Sequence, residues 1–188
     1  RCAGELVRPL VDLMTERVRQ SRTIHTDDTT VPIQSPGAKK CRQGRVWCYL
    51  GDEANPYTVY DYTPSRSRDG PAKWLSGYRG YLQADAYGGY DGIYHAQGVT
   101  EVACWAHARR KFYDAQDSDG QRAAEMLALV GELYAVEREA KESSLDEAAT
   151  LALRCQRSVP VLAETSVIVA ASSVACCMRR TKRAWRSS

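Results

Sequence analysis

The stretch that decides the fold reads Thr23-Ile24-His25-Thr26-Asp27-Asp28-Thr29-Thr30, and a similar stretch reads Tyr81-Leu82-Gln83-Ala84-Asp85-Ala86-Tyr87. Each is a strand-like run that leads directly into aspartate, a residue that is uncommon in strands. Divalent cations need carboxylate oxygens held on rigid backbone, so metal binding explains these positions. Two such strands side by side would supply part of a two-metal phosphoryl-transfer site, whose ions lie about 3.5–4 Å apart. The alternative is that the aspartates cap turns or nearby backbone N–H groups.

The composition is that of one globular domain. Of its 188 residues, 44% are hydrophobic and 26% are charged, which is sufficient for a buried core. No apolar run predicts a membrane span and no export signal is recognisable, so we expect a cytoplasmic protein. Seven cysteines at irregular spacing indicate reduced thiols. The chain begins at Arg1 instead of methionine, which predicts that a natural amino-terminal portion is missing.

The positive charge is concentrated at the carboxyl end of the chain. The net charge is +3, and residues 179–188 contribute +5 with no acid, so residues 1–178 carry −2. DNA contacts must therefore come from local basic groups rather than from the overall field. The loop candidates for such contacts are Lys39, Lys40, Arg42, Arg45, Arg66 and Arg68. Exposed loops are also basic for solubility, which is the alternative.

Strand patterns come first along the chain and helical patterns follow, which is typical of an α/β protein. The expected strands are at residues 23–30, 45–50, 57–62, 81–85 and 99–105. Short connections predict antiparallel pairing among the first of them. The expected helices are at residues 4–20, 106–116 and 121–142, and Ser144 with Glu147 makes a capping box that predicts another helix.

Four blocks of sequence match one protein family in order and spacing. They are His25-Thr26-Asp27-Asp28-Thr29-Thr30-Val31-Pro32, Gly44-Arg45-Val46-Trp47-Cys48-Tyr49, Leu82-Gln83-Ala84-Asp85-Ala86-Tyr87-Gly88-Gly89-Tyr90 and Ala103-Cys104-Trp105-Ala106-His107-Ala108-Arg109-Arg110-Lys111-Phe112. On these blocks, residues 5–162 resemble the transposases of the insertion sequence 66 family of bacterial mobile elements. Four such blocks in register are hard to obtain by chance.

The resemblance implies the α/β fold class. The expected architecture is an RNase H-like mixed sheet with helices. This sheet is expected to be incomplete here and to be followed by a helical region. The resemblance also implies an Asp-Asp-Glu site that binds two Mg²⁺ or Mn²⁺ ions and cuts and joins DNA. Asp27 corresponds to the first acid and Asp85 to the second, so both are expected to be catalytic residues and metal ligands. Asp28 is the fallback for the first role.

The third acid of the family belongs to an Asn-Asn…Glu-Arg segment, and the chain contains no such segment. The match decays after residues 153–162, and residues 163–188 show neither helix caps nor strand alternation. We therefore expect residues 163–188 to be an aberrant, basic, frameshifted tail. Translation of the encoding DNA in the other two frames should then restore an amphipathic helix and the missing segment.

The expected organisation is a leading helix at 1–21, a partial RNase H-like catalytic core at 22–116, a helical region or insertion at 117–162, and the tail. Since phosphoryl transfer depends on positioning and charge, loss of one acid predicts an inactive transposase fragment. Its expected partners are DNA at element ends and a homo-oligomer or a mixed assembly with an intact transposase, without a membrane. The alternative is a non-catalytic DNA-binding or interaction module that interferes with an intact transposase.

A basic segment follows the last predicted strand. His107, Arg109, Arg110 and Lys111 are expected to face DNA phosphates or the acidic site, and the alternative is a solvated helix face. Cys104 and His107 lack a second ligand pair at zinc-site spacing. Two broader alternatives are a general RNase H-like nuclease and a fragment that does not fold stably.

Overall fold

A mixed sheet organises the amino-terminal half of the molecule. The computed structural model describes residues 3–34, 36–37, 40–85, 87–96 and 98–171. The strands are β1 (Thr23–Ile33), β2 (Arg42–Leu50), β3 (Thr58–Thr63), β4 (Gly80–Ala84) and β5 (Val99–Ala103). The helices that accompany them are α1 (Ala3–Arg19), α2 (Asp69–Trp74) and α3 (Asp91–Ala96). These elements form one compact unit, the sheet unit, which ends at Ala103, and a second unit begins at Cys104.

The strand order in the sheet is β3-β2-β1-β4-β5. The first three strands pair antiparallel, as their short connections predict. β4 pairs parallel with β1, and β5 pairs parallel with β4. Parallel neighbours require crossover connections, and α2 and α3 lie in those connections. The expected mixed α/β class is confirmed, and the order is consistent with an RNase H-like sheet.

The side chains of β1 alternate between the core and the solvent. Ile24 and Thr26 are buried, whereas His25 and Asp27 are exposed. The core on the buried side is rich in aromatic residues, and its buried members include Trp47, Tyr49, Leu75, Tyr78, Leu82, Tyr90 and Ile93. Because a slip of one residue would turn Asp27 into this core, the register of β1 is strongly specified.

The second unit, the helical unit, consists of helices joined by turns, with no strand among its described residues. Its elements are α4 (Trp105–Asp114), α5 (Gly120–Glu142), α6 (Glu147–Leu153), a π-helical segment (Arg154–Ser158) and α7 (Val159–Ala171). Phe112 of α4 forms a buried cluster with Met126 and Leu129 of α5. This packing places α4 with the helices that follow it, and the division between the compact units lies before Cys104. The expected domain boundary after residue 116 stays a prediction.

The predicted capping box at Ser144 is wrong. α6 begins after Asp146, whose carboxylate accepts a hydrogen bond from the Ala149 N–H at 2.8 Å. Ser144 instead has a left-handed φ of 49°. Aspartate at the N-cap satisfies a backbone donor of the first turn, so it takes the role that the spacing of Ser144 and Glu147 had suggested.

Residues 163–171 also differ from the expectation, because they continue α7. Thr165 is buried, and Ile168 packs on the cluster that contains Phe112. Tertiary packing supplies most of the stability of such helices, which explains why the local pattern did not reveal it. The remainder of the expected tail, residues 172–188, lies outside the described residues. Within the described part of the chain, no helix is both long enough and apolar enough to cross a membrane.

Candidate metal centre

Asp27 and Asp85 come together because β1 and β4 are parallel neighbours. The register pairs Ile24 with Leu82 and His25 with Gln83. Two residues further along, Asp27 comes level with Asp85, which directly follows β4. Ligands of α/β proteins commonly bind at the carboxyl ends of parallel strands, where side chains of neighbouring strands converge.

Asp27, Asp28 and Asp85 form a group that we call the aspartate cluster. Each of them offers a carboxylate oxygen, and these oxygens lie within 4.8 Å of one another. Oxygen ligands bind Mg²⁺ at about 2.0–2.1 Å, so ligands on opposite sides of the ion are about 4.2 Å apart. The oxygens of the cluster therefore fit around one divalent cation after small side-chain movements.

Asp27 and Asp85 have the more accessible carboxylates of the cluster. Asp27 is exposed, and its Oδ1 accepts a hydrogen bond from the Asp28 N–H at 2.8 Å. The Asp85 side chain is 24% exposed, and its Oδ1 accepts from the Tyr87 N–H at 3.2 Å. Such accessibility would let both carboxylates contact an ion that enters from solvent.

Asp28 has the opposite environment. Its side chain is 1% exposed, and Arg45 Nη1 donates to its Oδ2 at 2.8 Å. Arg66 donates from Nη2 to Asp28 Oδ1 at 2.6 Å and from Nε to both oxygens at 2.9 and 3.1 Å. A buried carboxylate remains charged only when it is paired and hydrogen-bonded, and these arginines meet that requirement.

Arg66 also connects Asp28 to Asp85. Its Nη2 lies 3.1 Å from Asp85 Oδ2, its guanidinium carbon lies 4.0 Å from the centre of the Tyr87 ring, and the Tyr87 hydroxyl donates to the Arg66 carbonyl. Burial alone would lower the pKa of Arg66, but the hydrogen bonds and charges of Asp28 and Asp85 raise it above its ordinary value. The guanidinium is therefore a permanent positive charge in the cluster.

Aromatic side chains lie next to the cluster. Tyr90 contacts Tyr87 and Trp47 edge-on, with ring centroids 5.8 and 6.2 Å away. Its hydroxyl is 3.3 Å from Thr26 Oγ1. Burial, and then the negative charges of the three aspartates, raise the pKa of Tyr90, so this phenol stays neutral near pH 7. Rigid aromatic packing restrains Tyr87 and, through it, the backbone at Arg66.

From the sequence alone, Arg45 and Arg66 are candidates for phosphate contacts, whereas in the structure both bond Asp28. Arg45 pairs with Thr30 across β2 and β1, and Trp47 pairs with Asp28. Arg45 is therefore the diagonal neighbour of Asp28 on the same face, a relation that strand periodicity could have revealed. Arg66 lies in the loop between β3 and α2, and no local pattern connects it to Asp28.

The predicted DNA-binding residues all lie on α4 of the helical unit. Arg109, Arg110 and Lys111 are exposed, whereas His107 is half-buried. Consecutive exposed cations are suitable for phosphate contacts. Their interaction with DNA stays a prediction.

Comparison with known proteins gives one matching family. The model of the family described as "Transposase IS66 family" matches residues 1–187. This match extends past residue 162, where the resemblance seen in the sequence ends, and includes most of the segment that we expected to be a frameshifted tail.

Similar proteins occur in Sinorhizobium fredii (strain NBRC 101917 / NGR234). The uncharacterized protein y4hP is 35% identical over 182 residues, and the match covers 85% of this chain and 32% of the relative. The uncharacterized protein y4qI is 32% identical over 174 residues, with the same two coverages of 85% and 32%. The chain thus spans about a third of the length of the curated relatives that it matches.

Proposed function

The chain belongs to the Transposase IS66 family, and from this premise we propose that its sheet unit is the metal-binding part of a transposase that cuts and joins DNA. The observation that carries the proposal is the aspartate cluster, whose carboxylate oxygens lie within 4.8 Å of one another. Phosphoryl transfer is catalysed chiefly by cations at the attacking and leaving oxygens, so a cluster of this type is the feature that the reaction requires.

Asp27 and Asp85 are the proposed ligands of Mg²⁺ or Mn²⁺. Both have accessible oxygens. Asp27 lies within β1, just past the part that pairs with β4, and Asp85 directly follows β4. By the resemblance, both correspond to acids of the family motifs. When bound, the metal would polarise a phosphodiester oxygen and neutralise developing charge. Asp28 has both oxygens bonded to arginines, so we assign it a positioning role: it holds Arg45 and Arg66 at the edge of the cluster.

Strand cleavage by this chain alone is not expected. The family's third acid lies in an Asn-Asn…Glu-Arg segment that is absent from the 188 residues. Asp28 does not replace it, because its charge is already balanced by Arg45 and Arg66. We therefore propose that the chain retains a partial metal site and behaves as a truncated, inactive transposase in the cytoplasm.

A second candidate function is a non-catalytic module that binds DNA or an intact transposase. Arg109, Arg110 and Lys111 are exposed on α4, which favours contact with DNA ends. On α1, Leu6 and Leu10 are 67% and 59% exposed, which favours a protein contact in a homo-oligomer or mixed assembly. Binding of a DNA duplex without cleavage, and capture of a full-length relative, would support this function.

Metal binding is the first test of the proposal. Isothermal titration of the 188-residue chain with Mn²⁺ should show saturable binding, and Asp85→Asn should weaken it at least about tenfold, because one anionic ligand is lost. Asp12→Asn is the matched control, since it removes the same charge from a side chain that is 66% exposed and outside the cluster. Equal affinities of all three proteins would contradict the metal site.

Strand cleavage is the second test. Incubation with Mg²⁺ and DNA that carries element ends should leave the DNA intact. Robust Mg²⁺-dependent cleavage by this chain, abolished by Asp85→Ala, would disprove the proposed inactivity while supporting the metal site.

A further inference from the structure

Arg66 lies in the place where a cation is expected. Its Nη2 is 2.6 Å from Asp28 Oδ1 and 3.1 Å from Asp85 Oδ2, so a single nitrogen bridges two carboxylates of the aspartate cluster. A divalent ion that binds Asp85 would need a carboxylate oxygen of the same residue. Both are positively charged, and like charges this close repel, so the guanidinium and the ion compete for Asp85.

The charges of the cluster lead to the same conclusion. Three carboxylates face the two guanidinium groups of Arg45 and Arg66. The arginines offset most of the negative charge that would attract a metal ion, and like charges a few ångströms apart repel. Arg66 is the closer competitor, because it bonds both Asp28 and Asp85, whereas Arg45 bonds Asp28 from the β2 side.

The two contacts of Arg66 differ in strength. Toward Asp28 it makes three hydrogen bonds, to a carboxylate that is 1% exposed. Toward Asp85 it makes one, at 3.1 Å, to a carboxylate that is 24% exposed. Water screens the second contact more than the first, so it is the one that an ion can replace.

We propose that Arg66 is a built-in counter-ion that competes with divalent metal for Asp85 and thereby sets the metal affinity of the site. On metal binding the contact between Arg66 and Asp85 breaks, while the contacts between Arg66 and Asp28 persist. This inference rests on the proposed metal site at Asp27 and Asp85. It assigns Arg66 a positioning role, in which the residue acts through Asp85 and not on the substrate.

The test compares Mn²⁺ titrations of the wild-type chain, Arg66→Gln and Arg68→Gln. Arg68 is exposed in the same loop and is the matched control for loss of one positive charge. We expect Arg66→Gln to bind Mn²⁺ about tenfold more tightly than wild type, the low end of the effect of a charge within about 4–6 Å. Arg68→Gln should stay within about twofold of wild type, because exposed charges are screened.

The outcomes separate this inference from the proposed function. If Asp85→Asn weakens Mn²⁺ binding but Arg66→Gln leaves it unchanged or weaker, the metal site stands and the competition is disproved. If neither wild type nor Arg66→Gln binds Mn²⁺, both proposals fail.

A measurement on the wild type avoids any folding defect of Arg66→Gln. Mg²⁺ is diamagnetic, so the guanidinium NMR signals of Arg66, assigned by their loss in Arg66→Lys, can be followed during a titration. We expect these signals to shift at the Mg²⁺ concentrations that saturate the Asp85-dependent site. Unchanged signals at saturation would overturn the inference.

Discussion

An ion pair of the sheet unit and an ion pair of the helical unit have the same chemistry in opposite surroundings. Asp28 is 1% exposed and bonded to Arg45 and Arg66, whereas Glu137 is 48% exposed and bonded to Arg154. Water screens the second pair and hardly reaches the first carboxylate. Loss of one partner should therefore cost more stability in the sheet unit than in the helical unit.

The largest effect is expected from Asp28→Asn. Removal of this charge leaves Arg45 and Arg66 without their buried partner and should lower the free energy of unfolding by about 2–3 kcal/mol. This is less than the 3–5 kcal/mol of fully buried pairs because the arginine side chains are 27% and 35% exposed. Urea unfolding measures the loss, and hydrogen exchange of the β1 and β2 amides locates it in the sheet unit.

Asp12→Asn is the control for this prediction. Its exposed pair with Arg8 should contribute less than about 0.5 kcal/mol. If Asp28→Asn lowered the free energy of unfolding as little as Asp12→Asn, burial would not distinguish the two types of ion pair.

The second largest loss of unfolding free energy is expected for the sheet unit at alkaline pH. Burial raises the pKa of Tyr78 to about 12, and its hydroxyl donates to the Arg22 and Tyr81 carbonyls. Because the folded pKa exceeds the unfolded value near 10, the stabilisation is complete below pH 10 and is lost as pH rises through 12. The loss should approach about 2 kcal/mol. Unfolding free energies of wild type and Tyr78→Phe at pH 8, 10 and 12 measure this loss. Parallel pH profiles of the two proteins would refute it.

Asp27→Asn should separate the two adjacent aspartates by function. We expect Mn²⁺ affinity to fall at least about tenfold, or about 1.4 kcal/mol, while the unfolding free energy changes by less than about 0.5 kcal/mol. Titration and urea unfolding of the same samples measure both quantities. Retention of full Mn²⁺ affinity would instead identify Asp28 as the first ligand, the fallback that the sequence suggested.

The smallest effect is expected from Glu137→Gln in the helical unit. The hydrogen bond from Arg154 lowers the pKa of Glu137, so the pair stabilises the fold above about pH 4.5 and ceases to do so as pH falls through the lowered value. At pH 7 the substitution should cost less than about 0.5 kcal/mol, and 1 M NaCl should reduce even that. A cost above about 1 kcal/mol at pH 7, measured by urea unfolding, would show that exposure is a poor guide to the strength of these pairs.

The strands around the site could be predicted because their signals are local. β1 and β4 follow from runs of strand-forming residues, and α5 follows from a long helical period. α3 was not predicted, because six residues after a glycine-rich turn give too short a period to recognise. The cap of α6 and the continuation of α7 depended on backbone geometry and packing, which a local pattern does not contain.

The sequence by itself determined the mixed α/β class, the family and the two aspartates that follow strand-forming runs, because strand periodicity and motif spacing are properties of residues close together in the chain. Only the tertiary structure decided that Asp28 is buried between Arg45 and Arg66, and that Arg66 reaches Asp85. Those contacts join a central strand to a loop beyond β3. The charge balance of the site is therefore a property of the folded sheet unit, since no local pattern connects Arg66 to Asp28 or Asp85.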